Sequence, residues 1–130
     1  MKLLLDTHCW LWLKDDPARL PSPLRRRLRG DPATLVFSAV SAMEIGIKHA
    51  LGRLKLNADP AQVIEELRDD GVSILSMNVA HALRAAALPR LHRDPFDRLL
   101  VAQAQLEGLT LVTADAHVLA YDVATIDARK

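Results

Sequence analysis

The chain has 130 residues, half of them apolar and a quarter charged, with 17 Lys and Arg against 16 Asp and Glu for a net charge of +1. That length carries one domain with a real core and is too short for two ordinary ones, so residues 1–130 read as a single domain. No Pro-, Gly- or Ser-rich stretch marks a linker or disordered tail, and the near-neutral charge excludes nucleic-acid binding by the surface as a whole, leaving only local patches.

The first element is the apolar run Lys2 to Leu5, stopped by Asp6. It lacks a small-residue cleavage site and reads as a strand, not as a signal peptide or membrane span. A helix follows from Thr7 to Lys14, then one from Pro23 to Gly30, a strand from Thr34 to Phe37 and a helix from Ala39 to Leu51. Next come a helix from Pro60 to Asp70, a strand from Val72 to Leu75 and helices at Val79 to Ala87 and Phe96 to Glu107. The strand Thr110 to Val112, a short helix after Asp115 and a weaker strand Val123 to Ile126 complete the chain. Gly30, Gly71 and Gly108 fall at helix C-cap positions, and the pairs Asp59-Pro60 and Asp94-Pro95 read as an N-cap followed by proline. Short apolar runs alternating with helices predict a three-layer α/β sandwich with a mainly parallel sheet, whose pocket lies beyond the carboxyl ends of the strands.

Trp10 and Trp12 sit about 200° apart on one predicted helix, so both cannot face the core. One of them, with Leu11 or Leu13, is expected in an exposed apolar patch, unless a loop covers it. The single Cys9 permits no intrachain disulfide and fits a reducing, cytoplasmic setting. No Cys-x-x-Cys pattern, glycine-rich phosphate loop or nucleophile-elbow serine is present, and the five histidines are scattered singly.

Four acids stand in apolar settings: Asp6 closes Leu3-Leu4-Leu5, Glu44 interrupts the helix around Ile45, Asp97 opens Leu99-Leu100-Val101, and Asp115 follows Leu109-Thr110-Leu111-Val112. Singly, Asp6 and Asp115 read as helix caps and Asp97 as the acidic slot of a capping-box-like start after Asp94. Glu44 has no such role, although Lys48 four residues on offers a surface ion pair worth about 0.3–0.5 kcal/mol. Asp6 and Asp115 each follow a strand and belong at the rim of the pocket, with Asp97 expected to join them. Four converging carboxylates would call for a hard divalent cation, Mg²⁺ or Mn²⁺. Of the basic residues, Arg25, Arg26, Arg27 and Arg29 accompany Leu20, Leu24 and Leu28 at helical spacing and read as a solvated face. Arg90, His92 and Arg93 crowd the loop leading into Asp97, where they are expected to hold a phosphate backbone.

These residues resemble the PIN-domain family, specifically the VapC-type toxins of bacterial or archaeal type II toxin-antitoxin pairs. The likeness is carried by Leu3-Leu-Leu-Asp6-Thr-His, by Ser38-Ala-Val-Ser-Ala-Met-Glu44-Ile-Gly-Ile-Lys48, by His92-Arg-Asp94-Pro-Phe-Asp97-Arg-Leu-Leu-Val-Ala-Gln-Ala104, and by Leu111-Val-Thr113-Ala-Asp115. It runs over nearly the whole chain. The resemblance implies a Mg²⁺- or Mn²⁺-dependent endoribonuclease, a homodimer, and a cognate antitoxin that inserts a segment near the site. Its acidic quartet falls on Asp6, Glu44, Asp97 and Asp115. Asp6 and Asp97 are assigned as direct ligands, Asp115 as a direct or water-mediated one, and Glu44 as the group that orients or deprotonates the attacking water. Thr113 is expected to hydrogen-bond a ligand or water, and Asp94 to cap its helix with an added supporting role. Two competing readings are a metal-dependent phosphohydrolase of small phosphoesters, for which Asp6-Thr7-His8 lacks a second acid two residues on, and a non-catalytic binding module.

Overall fold

Leu3–Leu5 (β1) is buried at every position, as is Leu35–Ser38 (β2). Such runs belong to a sheet covered on both faces. In the computed structural model, which describes residues 1–130, they are joined by Ser73–Leu75 (β3), Thr110–Thr113 (β4) and Thr125–Asp127 (β5) in a wholly parallel sheet of order β3-β2-β1-β4-β5. Leu4 lies opposite both Val36 and Leu111. The two-residue period of a strand then sorts the side chains between two cores. Leu3, Leu5, Leu35, Phe37 and Val112 face one, and Leu4, Val36 and Leu111 the other.

The helices divide in the same way. Thr7–Asp15 (α1), Ser22–Gly30 (α2) and Pro60–Asp69 (α4) supply Trp10, Leu24 and Leu67 to the first core. Val79–Ala87 (α5), Pro95–Glu107 (α6) and the short Ala116–Leu119 (α7) supply Ala85, Leu100 and Val118 to the second. Ala39–Ala50 (α3) serves both, through Ile45 and Val40. The result is the three-layer sandwich expected from the sequence. Each fully buried leucine contributes about 1.5–3 kcal/mol, so the alternation along β1 alone accounts for much of its placement. No helix is long and apolar enough to cross a membrane.

The boundaries shift where short turns intervene. Pro17–Arg19 and Pro32–Thr34 form 3₁₀ turns, and the second takes Thr34 out of β2 by turning its hydroxyl back to the Asp31 carbonyl. β5 begins at Thr125 instead of Val123, since turn hydrogen bonds occupy Tyr121 and Val123 first. Gly108 ends α6 in the left-handed conformation, φ 65°. Gly30 is the last residue of α2 and needs no positive φ. Asp59 occupies the N-cap of α4 without a side-chain cap bond, whereas Asp94 caps α6 through Phe96 and Asp97.

Neither tryptophan forms the exposed patch expected of one of them. Trp10 is buried edge-on against Phe37, and half-buried Trp12 lies under the Arg19 guanidinium, 5.3 Å from its ring. The turn at Pro17–Arg19 is the covering loop.

Candidate active site

The strand order reverses at β1, which has β2 on one side and β4 on the other. In open parallel sheets the crevice opens at such a reversal, beyond the carboxyl ends of the two strands. Asp6 follows β1 and Asp115 follows β4, so both stand at that mouth. Thr113, the last residue of β4, ties them together. Its buried hydroxyl donates to Asp6 Oδ2 at 2.5 Å and accepts the Asp115 N–H at 3.1 Å.

Capping and clustering coexist because each carboxylate has two oxygens. Asp6 Oδ1 accepts the Cys9 N–H at 2.8 Å to cap α1, leaving Oδ2 for Thr113. Asp115 Oδ1 accepts from the His117 and Val118 amides to cap α7, leaving Oδ2 for His92. Asp97 makes no capping box, since the Asp94 N–H it would need goes to His92 Nδ1 at 3.0 Å.

His92, expected from the sequence to face a phosphate backbone, turns its ring inward between two acids. Its Nε2 lies 3.1 Å from Asp97 Oδ2 and 3.0 Å from Asp115 Oδ2. Because Nδ1 accepts a backbone N–H, the ring proton sits on Nε2 and is shared between the carboxylates. The neighbouring His117 brings Nδ1 within 3.5 Å of Asp115 Oδ1, and His92, Asp115 and His117 together have the spacing of a metal-binding trio. A protonated Nε2 offers no lone pair, so His92 acts here as a donor and not as a ligand.

Glu44 reaches the same rim from α3. Thr7 donates a buried hydrogen bond of 2.9 Å to Ser41, which pins α3 beside the start of α1 one turn before Glu44. The Glu44 side chain is only 3% exposed, and Oε2 accepts from Lys48 Nζ at 2.6 Å. This ion pair is the one anticipated as a surface pair, with its acid end buried. Oε1 is buried with no partner at all. An orphaned carboxylate oxygen in such a place costs free energy until a cation or water meets it.

Asp97 shows how close the acids stand. Burial pushes its carboxyl up from 3.8 to about 7, and the negative charges of Asp94, Asp6 and Glu44 add to the rise while His92 opposes it. At Asp115 burial also raises the pKa, but the His92 and backbone hydrogen bonds outweigh it and the net shift is downward. The Asp97 shift has a testable sign. The folded state holds this proton more tightly than the unfolded one, so the group's stabilisation is complete below about pH 4 and is lost as pH rises towards 7, a change on the order of 4 kcal/mol. In chelator-stripped protein, Asp97→Asn should therefore gain in melting temperature over the wild type as pH rises from 5 to 8. An equal difference at both ends of that range would reject the shift.

Arg90 and Arg93 stand exposed around an open depression of about 650 Å³ that His92 and Arg98 also line. Cys9 lies under Asp6, and burial together with that charge pushes its thiol well above the ordinary range, so it is no nucleophile. Arg98 and Tyr121 hold the 88–94 loop beside the acids; Arg98 stands in the Asp97-Arg-Leu-Leu run that carries the family likeness, but nothing in the sequence points to this role for either residue. Apart from each other and the His92 N–H, their partners are backbone carbonyls that only the fold brings near.

Comparison with known proteins agrees with this architecture. DNA-bound VapBC from Salmonella typhimurium matches with a TM-score of 0.69 at 17% identity, covering 98% of both chains. A toxin-antitoxin complex from Klebsiella pneumoniae matches at 0.68 and 19%, again over 98% of both. FitAcB from Neisseria gonorrhoeae matches at 0.62 and 21%, over 97% of both. At such identities the likeness concerns the fold. No curated protein matches the chain. The PIN domain family model, however, matches residues 3–124, from the start of β1 to the edge of β5, and with them every acid of the rim: the chain belongs to the PIN domain family.

Proposed function

We propose that the protein is a Mg²⁺- or Mn²⁺-dependent endoribonuclease, the VapC-type toxin of a toxin-antitoxin pair, with residues 1–130 working as one nuclease domain. The observation that carries this reading is the gathering of Asp6, Glu44 and Asp94 charges on Asp97, with Glu44 Oε1 buried and unpartnered. An all-oxygen, acid-rich donor set fits a hard divalent cation. Asp6 and Asp97 would hold it, and Asp115, whose oxygens already serve His92 and the α7 amides, would reach it directly or through water. When bound, the ion supplies positive charge against the phosphodiester and acidifies nearby water.

The chain's own groups do the rest. Glu44 Oε1 orients a water and takes its proton as the water oxygen bonds to phosphorus; the bond from phosphorus to the leaving oxygen breaks, and that oxygen takes a proton from solvent. Thr113 keeps Asp6 and Asp115 in register, and Asp94 sets the start of α6. Arg90 and Arg93 hold flanking phosphates, with His92 steadying the acids beside them. RNA in place of DNA follows the family resemblance.

The antitoxin reading draws on the structural neighbours, whose chains come from toxin-antitoxin complexes. A cleft of about 360 Å³ between α1, α3 and α4 offers a seat for an inserted segment. Trp10 lines it, and its buried indole N–H has no partner. The exposed Val79 and Leu83, four residues apart on α5, offer an apolar strip for a second copy in a homodimer. A cytoplasmic location fits the single buried thiol.

The deciding experiment is turnover of an RNA oligonucleotide beside a small chromogenic phosphoester, each with and without Mg²⁺ or Mn²⁺. Metal-dependent RNA cleavage is expected. Turnover of the phosphoester alone points to a small-molecule phosphohydrolase, and no turnover of either points to a binding module.

Replacing Arg90 and Arg93 together by Ala should weaken RNA binding across sequences and flatten its salt dependence by about one unit of log-log slope for each phosphate that is no longer neutralised. Arg25→Ala with Arg26→Ala should change it far less, because Arg25 donates to the Pro17 carbonyl and Arg26 to Ser22. Fluorescence anisotropy over a series of salt concentrations in an Asp6→Asn background reads both. An unchanged slope for Arg90 and Arg93 rejects the grip, and a large change for Arg25 and Arg26 moves the RNA track to α2.

A further inference from the structure

The last turn of a helix leaves carbonyls without partners, and α5 ends just before Pro89, which cannot continue it. Arg98, from the first turns of α6, fills this need. Its Nη2 donates to the Ala85 carbonyl at 2.8 Å and the Leu88 carbonyl at 3.0 Å. Its Nη1 serves the Pro89 carbonyl at 3.1 Å, the His92 carbonyl at 3.4 Å and the Tyr121 hydroxyl at 3.3 Å. The same hydroxyl donates to the Pro89 carbonyl at 2.8 Å and accepts the His92 N–H at 3.0 Å. One planar guanidinium and one phenol thus fasten the loop at Leu88 and Pro89 and again at His92, on either side of Arg90 and directly before Arg93.

We infer that Arg98 and Tyr121 are positioning residues for substrate: they set the 88–94 loop so that Arg90 and Arg93 stand at fixed places beside the acids. This rests on the ribonuclease reading. Arg98 lines the same depression as Arg90 and Arg93, but its Nη1 and Nη2 are committed to loop carbonyls and the Tyr121 hydroxyl, so these donors act through the loop and not on a phosphate. It also directly follows Asp97, so the residue that fixes the loop and the acid it faces are adjacent on one helix. Holding the loop in advance spares the ordering cost that a mobile basic loop incurs when RNA binds.

Tyr121→Phe tests this with no change of charge. The ring, 5% exposed, stays packed, and only the hydroxyl is lost. In the full chain with an Asp6→Asn background, Tyr121→Phe should weaken binding of a fluorescent RNA oligonucleotide and flatten its salt dependence by about one unit of log-log slope. Amide exchange should quicken at residues 90–93 while the strands stay protected. Arg98→Lys keeps the charge but reaches fewer carbonyls, and it should show the same flattening in milder form. A merely structural role would lower the melting temperature and leave the salt slope of the folded protein untouched. Unchanged affinity and slope in both variants, with RNA cleavage by the wild type intact, overturn the inference alone. If the wild type neither cleaves nor binds RNA, the ribonuclease reading falls and takes this inference with it.

Discussion

Asp97→Asn should abolish RNA cleavage while leaving the metal-free protein as stable as the wild type or more so. The substitution removes a proposed direct ligand, so the loss should exceed the roughly 10–100-fold that follows when a hydrogen-bond partner behind a metal ligand is removed. It also relieves the crowding that drives the carboxyl up to about 7. The Asn oxygen can still accept the His92 Nε2–H that Asp97 Oδ2 receives at 3.1 Å. Asp6→Asn should be equally inactive but structurally less clean. Its oxygen can keep the cap to Cys9, while its amide group presents a donor to the Thr113 hydroxyl, at a cost of about 1 kcal/mol that relief of repulsion partly offsets. Activity and chelator-stripped melting temperature should be measured on the same preparations. Retained cleavage in Asp97→Asn removes that residue from the catalytic assignment. A clear fall in metal-free stability would mean that its carboxylate serves the fold through His92.

Millimolar Mn²⁺ should raise the melting temperature of the stripped wild type markedly. At a hundredfold excess over Kd, mass action supplies about 2.7 kcal/mol, on the order of 10 °C for a chain of this size. Binding should weaken as pH falls below about 7, because the proton on Asp97 competes with the cation. Ca²⁺ should also stabilise but support cleavage poorly, since its looser coordination positions water less well. Asp97→Asn should lose most of the Mn²⁺ shift, which separates the site from weak binding elsewhere on the surface. A wild-type melting curve indifferent to Mn²⁺ would reject a preformed metal site.

Local pattern carried much of this molecule. The apolar runs ending in Asp6 and before Asp115 mark β1 and β4, and a helix start after an acid marks a cap. These signals act over one or two turns of chain, and the structure differs from them mainly by a few residues at turns such as Pro32–Thr34. They also placed Asp6 and Asp115 at strand ends, where a parallel sheet opens its crevice.

Strand order was another matter. Thr113 and Asp6 meet across 107 residues of sequence because β4 enters the sheet beside β1, and His92 meets Asp115 across 23 because α6, which follows His92, packs back on β4. No local propensity encodes that pairing. The inward turn of His92 depends on a backbone N–H that Asp94 presents only in this loop, and the burial of Glu44 depends on Ser41 meeting Thr7. Trp10 and Trp12 are equivalent in hydropathy, and only the Phe37 ring and the Arg19 guanidinium decide which is inside. The clamp of Arg98 and Tyr121 is legible nowhere in the chain, since a carbonyl left over at a helix end has the same sequence whether or not something answers it. Side-chain chemistry named the acids, but the long-range pairing of strands and the need to satisfy buried polar groups decided which of them meet and what holds them there.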